Sequence, residues 1–202
     1  MTPSSPPEPV PHEYRLLDRE TVFEGPIISL YRERVAMPGG GDGVRDIVRH
    51  IGAVAVAAVD EAERVVLVRQ YRQAFGEHLW ELPAGLRDAA GEPPAATARR
   101  ELAEEVQLAA ARWSLLATTY SSPGFSDEVV FVYLAEELTD ADRPEGFVVE
   151  HEEADMTVER VPLADAVQWV FDGRIRNSLA VVGILAAAHA RRGGVQLRPA
   201  DA

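Results

Sequence analysis

Three glutamates that could bind a cation lie in one short run of the chain, residues 100–105. Glu101, Glu104 and Glu105 are spaced i, i+3 and i+4, so a helix would carry all three on one face. Like charges this close repel one another unless a cation lies among them, and clustered oxygen ligands suit a hard divalent cation such as Mg2+ or Mn2+. The spacing therefore predicts a divalent-metal site. The alternative is an ordinary solvated helix whose glutamates face water.

These glutamates belong to a longer pattern that includes a glycine, an arginine, a further glutamate and two apolar residues. The matching positions are Gly85, Glu92, Arg100, Glu101, Leu102, Glu104, Glu105 and Leu108. Together they resemble the Nudix box, the metal-binding loop–helix–loop of the Nudix hydrolases. The resemblance implies that the three helix glutamates and the carbonyl of Ala84 bind the metal, and that Arg100 orients the carboxylates through charge-assisted hydrogen bonds.

The chain departs from the box at two positions. Six residues separate Gly85 from Glu92, where the box has five, and Gln107 stands where the box has a second glycine. A glycine at the end of a helix usually adopts the left-handed conformation, and another residue there costs about 1 kcal/mol. Both departures affect the loop geometry and the role of Glu92 rather than the three helix carboxylates.

Two further segments resemble the ADP-ribose pyrophosphatases among the Nudix hydrolases. Residues 80–85 match the entry to the box in that subfamily. Pro123 lies 15 positions after Leu108, where a proline marks ADP-ribose specificity. A simple type II turn is an alternative explanation of Pro123 and the glycine that follows it. The resemblance implies that ADP-ribose is hydrolysed to AMP and ribose 5-phosphate.

An acidic segment, residues 151–156, resembles the loop that carries the catalytic glutamate in bacterial members of the subfamily. Glu153 is the first candidate to position or deprotonate the attacking water, Glu152 the second and Glu150 the third. An acidic surface loop without a catalytic role is the alternative.

Candidate substrate contacts come from residues near the box. Arg69 and Arg72 end a predicted strand and could hold phosphate, and Glu81 could accept a hydrogen bond from ribose or adenine. Pro123 and Phe125 are candidates to form a wall of the substrate pocket. A surface or core role is the alternative for each of them.

The amino-acid composition limits the molecules that this protein could bind and the chemistry it could use. The 202 residues include 33 acidic and 20 basic side chains, for a net charge of -13, which argues against a nucleic-acid partner. The chain has no cysteine, so disulfides and thiolate chemistry are excluded. No apolar run reaches transmembrane length and no signal peptide is recognisable, so we expect a cytoplasmic protein without a membrane partner.

The order of predicted elements indicates an α/β fold. We expect a flexible tail (1–11), a small N-terminal β module (12–50), a Nudix domain (51–192) and a C-terminal tail (193–202). Strands are predicted at 21–23, 27–31, 44–50, 51–59, 64–70, 79–82, 113–120, 129–135 and 156–161, and helices at 94–106, 163–171 and 179–192. Alternating strands and helices fit a mixed sheet covered by helices, which agrees with the α/β/α sandwich that the resemblance implies.

The resemblance also implies a homodimer that exchanges N-terminal strands, which would cover the apolar side chains of the β module. Two other functions remain open at this point. One is Nudix hydrolysis of another nucleoside diphosphate sugar or of a dinucleotide. The other is a catalytically silent module that binds ADP-ribose and regulates a partner.

Overall fold

The computed structural model describes residues 13–144 and 155–201, and within these ranges the chain forms eleven strands and three helices. The strands are β1 (Leu16–Glu24), β2 (Ile28–Ala36), β3 (Asp42–His50), β4 (Ala53–Ala58), β5 (Arg64–Arg72), β6 (Glu77–Glu81), β7 (Ala84–Leu86), β8 (Leu108–Tyr120), β9 (Val129–Asp140), β10 (Thr157–Pro162) and β11 (Arg198–Pro199). The helices are α1 (Pro94–Val106), α2 (Leu163–Phe171) and α3 (Ser178–Arg191). No helix among the described residues is long and apolar enough to cross a membrane.

The chain divides into two compact units, and the first contains the described residues up to His50 together with Ser122–Asp127. Strands β1, β2 and β3 form an antiparallel sheet in that order. The segment Ser122–Asp127 is held to β3 by two backbone hydrogen bonds, from Val48 N to Phe125 O at 2.7 Å and from Asp127 N to Val48 O at 3.1 Å. Residues distant in sequence therefore belong to one unit.

The first unit leaves much apolar surface uncovered. All nine residues of β1 are exposed, and β1 is an edge strand of its sheet. The large hydrophobic side chains exposed in this unit are Tyr14, Leu16, Leu17, Val22, Phe23, Ile27, Ile28, Val44 and Phe125. An exposed apolar edge strand is a surface that natural proteins normally cover.

The second unit, Ile51–Ser121 with the described residues from Glu128 onward, contains the main sheet. Five strands are ordered β11-β8-β9-β4-β7, and β4 runs parallel to β9 while the other neighbours are antiparallel. A second sheet of three antiparallel strands is ordered β10-β5-β6. The parallel pair makes the main sheet mixed, as predicted.

Strand β4 explains the layering of this unit. Its six residues are all buried, as expected for a central strand covered on both faces. Ala53, Ala55 and Ala57 belong to one buried cluster with residues of α2 and α3, whereas Val54 and Val56 belong to a second cluster with residues of α1. Helices therefore cover both faces of the sheet, which confirms the predicted α/β/α sandwich.

The structure agrees with most predicted elements and adds four features. Helices α1 and α2 have the predicted bounds, but β7 forms where a loop was predicted. Strand β8 begins at Leu108 and β9 continues to Asp140, because the two strands pair over their whole length. Strand β11 lies in the segment predicted as a tail and pairs with β8. With three and two residues, β7 and β11 are too short to carry an alternating pattern.

Candidate active site

Helix α1 presents the three predicted metal ligands. It begins at Pro94, a position where the missing N–H of proline is not needed. Ala98 and Leu102 are fully buried against the main sheet and fix the rotation of the helix. Glu101, Glu104 and Glu105 lie on another face, and the side chains of Glu101 and Glu104 retain only 13% and 14% of their exposure. The three carboxylates are therefore largely withdrawn from water.

Strand β7 packs directly against two of these carboxylates. The backbone N–H of Ala84 donates a hydrogen bond to Glu105 Oε2 at 3.0 Å. The carboxylate of Glu101 lies against the Cα of Gly85, so closely that a Cβ at that position would overlap it. Gly85 is therefore needed for the close approach of β7 and α1. The role of the Ala84 carbonyl as a metal ligand stays a prediction.

Arg100 connects the acidic side chains of the box. Its Nη1 donates to Glu101 at 2.8 Å and to Glu104 at 3.0 Å. Its Nη2 donates to Glu92 at 3.2 Å and to Asp88 at 3.4 Å. One guanidinium thus holds the orientation of two helix carboxylates and ties them to the preceding loop, which is the kind of contact predicted for Arg100.

Thr97 is a member of this network that the sequence analysis missed. Its side chain is fully buried, and its hydroxyl donates to Glu92 Oε2 at 2.8 Å. The hydrogen bond from Arg100 lowers the pKa of Glu92, burial opposes that shift, and the bond from Thr97 lowers the pKa further. The extra residue in the loop therefore does not detach Glu92 from the site. The sequence feature that could have indicated this role is a hydroxyl residue on the side of the predicted helix that faces the core.

Burial changes the ionisation of Glu101. It raises the pKa of this carboxyl to about 7, the charge of Arg100 lowers it, and the neighbouring charge of Glu104 raises it again. A carboxylate that is costly to ionise gains from a cation beside it. A divalent cation would stabilise the charged form more than a single guanidinium does.

The donor set fits a hard divalent cation. Three carboxylates outnumber the one guanidinium between them, and carboxylate oxygens are the ligands that such cations prefer. Within residues 13–144 and 155–201, no three acidic or histidine side chains are yet placed so that together they could hold a metal ion. Arg100 holds Glu101 and Glu104, whereas Glu105 accepts from β7. We expect metal ligation to replace part of the hydrogen bonding by Arg100.

The two predicted phosphate-binding arginines lie on opposite faces of the β5–β6 hairpin. Arg72 forms a two-point contact with Glu81, with Nε to Oε1 at 2.9 Å and Nη2 to Oε2 at 2.6 Å. Arg69 lies instead over the ring of Trp80, with 5.8 Å from its Cζ to the ring centroid. Residues three apart on a strand point to opposite sides, which explains why the two arginines have different neighbours. Their roles in phosphate binding remain predictions. Only Arg72 shares a cluster with Glu81.

Pro123 and Phe125 belong to the segment that is part of the first unit. The segment forms a turn in which the N–H groups of Phe125 and Ser126 donate to the carbonyl of Ser122, at 3.1 and 2.9 Å. The side chain of Phe125 is 54% exposed. Their roles in substrate binding remain predictions.

The candidate catalytic glutamates Glu150, Glu152 and Glu153 lie outside the described residues. Asp155, the first described residue after them, lies within hydrogen-bonding distance of His78 on β6, with 2.8 Å between Oδ2 and Nε2. Strand β6 ends at Glu81, whose partner is Arg72. The chain that follows the candidate glutamates is thus attached to the strand that leads into the box.

The comparisons with known proteins all indicate the same family. The NUDIX domain matches residues 48–180. An ADP-ribose pyrophosphatase from Mycobacterium tuberculosis is 48% identical over 190 residues, which cover 94% of this chain and 90% of that protein. An ADP-ribose pyrophosphatase from Bacillus subtilis is 42% identical over 127 residues, which cover 63% of this chain and 68% of that protein.

One solved structure has the same fold. The crystal structure of an ADP compounds hydrolase superimposes with a TM-score of 0.76, covering 93% of this chain and 100% of that chain at 21% sequence identity. At this level of identity the likeness supports the fold, and function has to be argued from the site.

Proposed function

This chain belongs to the Nudix family, and we propose that it is an enzyme that hydrolyses the diphosphate of ADP-ribose to AMP and ribose 5-phosphate. The observation that carries the proposal is the cluster of Glu101, Glu104 and Glu105, tied to β7 through Ala84 and to the loop through Arg100. The relatives named as ADP-ribose pyrophosphatases support this choice of substrate.

Hydrolysis requires water to attack a phosphorus that already carries negative charge. The bond from that phosphorus to the bridging oxygen breaks, so AMP and ribose 5-phosphate separate, each with one phosphate. A bound divalent cation would neutralise the diphosphate and lower the pKa of the attacking water. We propose Mg2+, with Mn2+ as a second possibility, because the ligands are hard oxygens.

The roles of the chain's own residues follow from their contacts. Glu101, Glu104 and Glu105 would hold the cation, and Arg100 keeps the carboxylates of Glu101 and Glu104 oriented. Ala84 fixes the direction of Glu105 through its N–H, and its carbonyl is a further candidate ligand. Preorganised side chains of this kind avoid the free-energy cost of reorganisation during the reaction.

Substrate binding and water activation are assigned to residues around β6. Glu81, held by Arg72, is proposed to accept a hydrogen bond from the ribose or adenine, and Arg72 to face phosphate oxygens. Glu153 is proposed to position or deprotonate the attacking water, with Glu152 as the second candidate. The hydrogen bond between Asp155 and His78 supports this assignment, because it anchors the chain two residues after Glu153 to the same strand.

Other parts of the proposal concern the whole protein. We propose a cytoplasmic homodimer with no nucleic-acid or membrane partner. The net charge of -13 supports the absence of a nucleic-acid partner. The exposed apolar side chains of β1 support association with a second copy.

The test is release of AMP from ADP-ribose, measured with Mg2+, with Mn2+ and with a chelator. We expect metal-dependent release that Glu105→Gln reduces by more than about a hundredfold, since even outer-shell changes at metal sites reduce activity roughly 10- to 100-fold. Glutamine can still accept the hydrogen bond from Ala84, so the fold should be retained. Glu61→Gln, an exposed glutamate in the β4–β5 turn, is the matched control and should keep full activity.

A substrate panel separates the alternatives. Preference for GDP-mannose or a dinucleotide over ADP-ribose would support the same chemistry on another nucleoside diphosphate compound. Tight binding of ADP-ribose without release of AMP, under every metal condition, would support a binding module and contradict the proposed enzyme.

A further inference from the structure

Helix α3 contains a buried glycine, Gly183, in its interior. Glycine is a poorer helix former than alanine, so its presence in the middle of a helix indicates a constraint from packing. The φ angle of Gly183 is not in the left-handed region, so the backbone conformation is open to any residue. A Cβ on Gly183 would overlap Cδ1 of Leu82 and come within 3.2 Å of Cγ1 of Val132. The close approach of Leu82 is therefore what disfavours a larger residue at this position.

Leu82 lies in the short connection between β6 and β7. This connection joins the two sheets of the second unit, because β6 pairs with β5 and β7 pairs with β4. Glu81, the proposed substrate contact, comes directly before Leu82. Ala84, whose N–H donates to Glu105 at 3.0 Å, comes two residues after it. The position of Leu82 therefore affects both the proposed substrate contact and the proposed metal site.

The residues that lead into this connection alternate between two faces. Trp80 and Leu82 pack in the buried cluster that contains residues of α2 and α3. The ring of Trp80 also contacts the ring of Trp169 on α2, with 5.7 Å between the centroids. Glu81 contacts Arg72 instead. The two helices thus hold the neighbours of Glu81 on one face, and its carboxylate lies on the other.

The surroundings of Leu82 leave it little freedom to move alone. The N–H of Val56 on β4 donates to the carbonyl of Pro83 at 2.8 Å, which ties the connection to the main sheet. Helix α3 is fixed at its start by Asn177, whose side chain accepts from two backbone N–H groups at 3.0 Å. Leu82 is 1% exposed, and a close-packed interior leaves little space for another rotamer. A methyl group at position 183 would therefore displace Leu82 together with the connection.

We propose that Gly183 is a positioning residue of the active site, because it lets Leu82 lie against the backbone of α3 and so sets the placement of Glu81 and Ala84. The inference rests on the proposed function of those two residues. Gly183 acts through Leu82. A shift of Leu82 away from α3 would change the hydrogen bond from the Ala84 N–H to Glu105, and so the direction of one proposed metal ligand.

The test is the affinity of the substrate-free protein for Mn2+, measured by electron paramagnetic resonance, together with KM for ADP-ribose. We expect Gly183→Ala to weaken Mn2+ binding on the order of tenfold, the lower end of the effect found for residues that orient metal ligands, and to raise KM. Alanine is the better helix former, so helix propensity alone predicts no loss. Wild-type Mn2+ affinity in a folded Gly183→Ala variant would overturn the proposal.

A second variant tests the contact from its other side. Leu82→Val removes the Cδ1 atom that a Cβ at position 183 would overlap. We expect the double variant Gly183→Ala with Leu82→Val to bind Mn2+ more tightly than either single variant, because the added methyl group fills the vacated space and contacting residues are not additive. If Gly183→Ala alone does not fold, the comparison is between the double variant and Leu82→Val. A double variant that binds Mn2+ no more tightly than Leu82→Val would overturn the proposal.

Ala187→Val is the matched control for overpacking of α3. Ala187 is fully buried in the same cluster, four residues after Gly183 and roughly 6 Å further along the helix axis. This variant should lower the melting temperature and leave the Mn2+ affinity and KM unchanged. An equal loss of Mn2+ affinity in Ala187→Val would show general loosening of the core and overturn the proposal.

The same measurements separate this inference from the proposed function. Wild-type protein that binds Mn2+ but releases no AMP from ADP-ribose would contradict the proposed enzyme. The role of Gly183 would then be decided by the Mn2+ affinities of the variants alone. Absence of Mn2+ binding in the wild-type protein would overturn both proposals.

Discussion

Gly85 shows how one residue without a side chain determines the position of a charged one. The Glu101 carboxylate occupies the space where a Cβ at position 85 would lie. The φ angle of Gly85 is not in the left-handed region, so its backbone conformation is open to any residue. Close approach, and not backbone freedom, is therefore the reason for glycine here.

We predict that Gly85→Ala lowers the rate of AMP release on the order of a hundredfold. The added Cβ would displace the Glu101 carboxylate from the cluster. A displacement of about 1 Å in an active site has effects of that size. The measurement is the rate at saturating Mg2+, with circular dichroism to monitor folding. Gly91→Ala is the control: it strains the same loop at a positive φ of 77° but meets no neighbouring atom. A wild-type rate in Gly85→Ala would contradict the assigned role of Glu101.

Residue types and spacing were sufficient to predict the acidic cluster, since i, i+3 and i+4 positions share a helix face in any helix. They did not show that Arg69 and Arg72 have different neighbours, because residues three apart on a strand lie on opposite faces of the sheet. Thr97 was not predicted as a residue of the site, because its role depends on a hydrogen bond to Glu92 that only the loop conformation creates.

The end of α1 is one of the two places where the sequence departs from its family pattern. Gln107 adopts the left-handed conformation, with φ 52° and ψ 45°, and its N–H donates to the carbonyl of Ala103 at 3.1 Å. Its carbonyl accepts from the N–H of Ala141 at 2.9 Å. The turn therefore has the geometry that a glycine would favour, and a residue with a Cβ is held in it.

We predict that Gln107→Gly raises the free energy of unfolding by about 1 kcal/mol, the size of the left-handed penalty for a residue with a Cβ. The melting temperature should rise by roughly 2–4 °C for a chain of this size. The Gln107 side chain is exposed, so its loss should remove little packing. Gln107→Ala keeps the penalty and should show no gain. Equal stability of the glycine and alanine variants in thermal and denaturant unfolding would contradict the prediction.

The elements that the sequence did not predict are the ones that depend on neighbours. Strands β7 and β11 have three and two residues, and each exists because a longer strand, β4 or β8, offers an edge. Helix α1 and strand β4 were predictable because each has its own pattern, one of polar and buried faces and one of continuous burial. Local periodicity thus predicts long elements, whereas short ones follow from the tertiary fold.

Exposed hydrophobic surface is distributed unevenly between the two units. The second unit contains two buried clusters on the two faces of its sheet. The first unit instead exposes a complete edge strand, including Leu17, Val22 and Phe23. Large apolar side chains on an unpaired edge are expected to associate with another chain. A second copy of this chain could cover this surface without any other protein.

We predict that the protein sediments at twice the mass of one chain, and that Leu17→Glu combined with Val22→Glu shifts it to a single chain. Two charges placed on β1 would have to be buried in the interface, which is strongly unfavourable. Phe171→Glu is the control, because Phe171 is 73% exposed in the second unit but lies on α2. Sedimentation equilibrium over a range of concentrations measures the outcome. A wild-type protein that stays a single chain would contradict the dimer, and dissociation by Phe171→Glu alone would move the interface from β1 to α2.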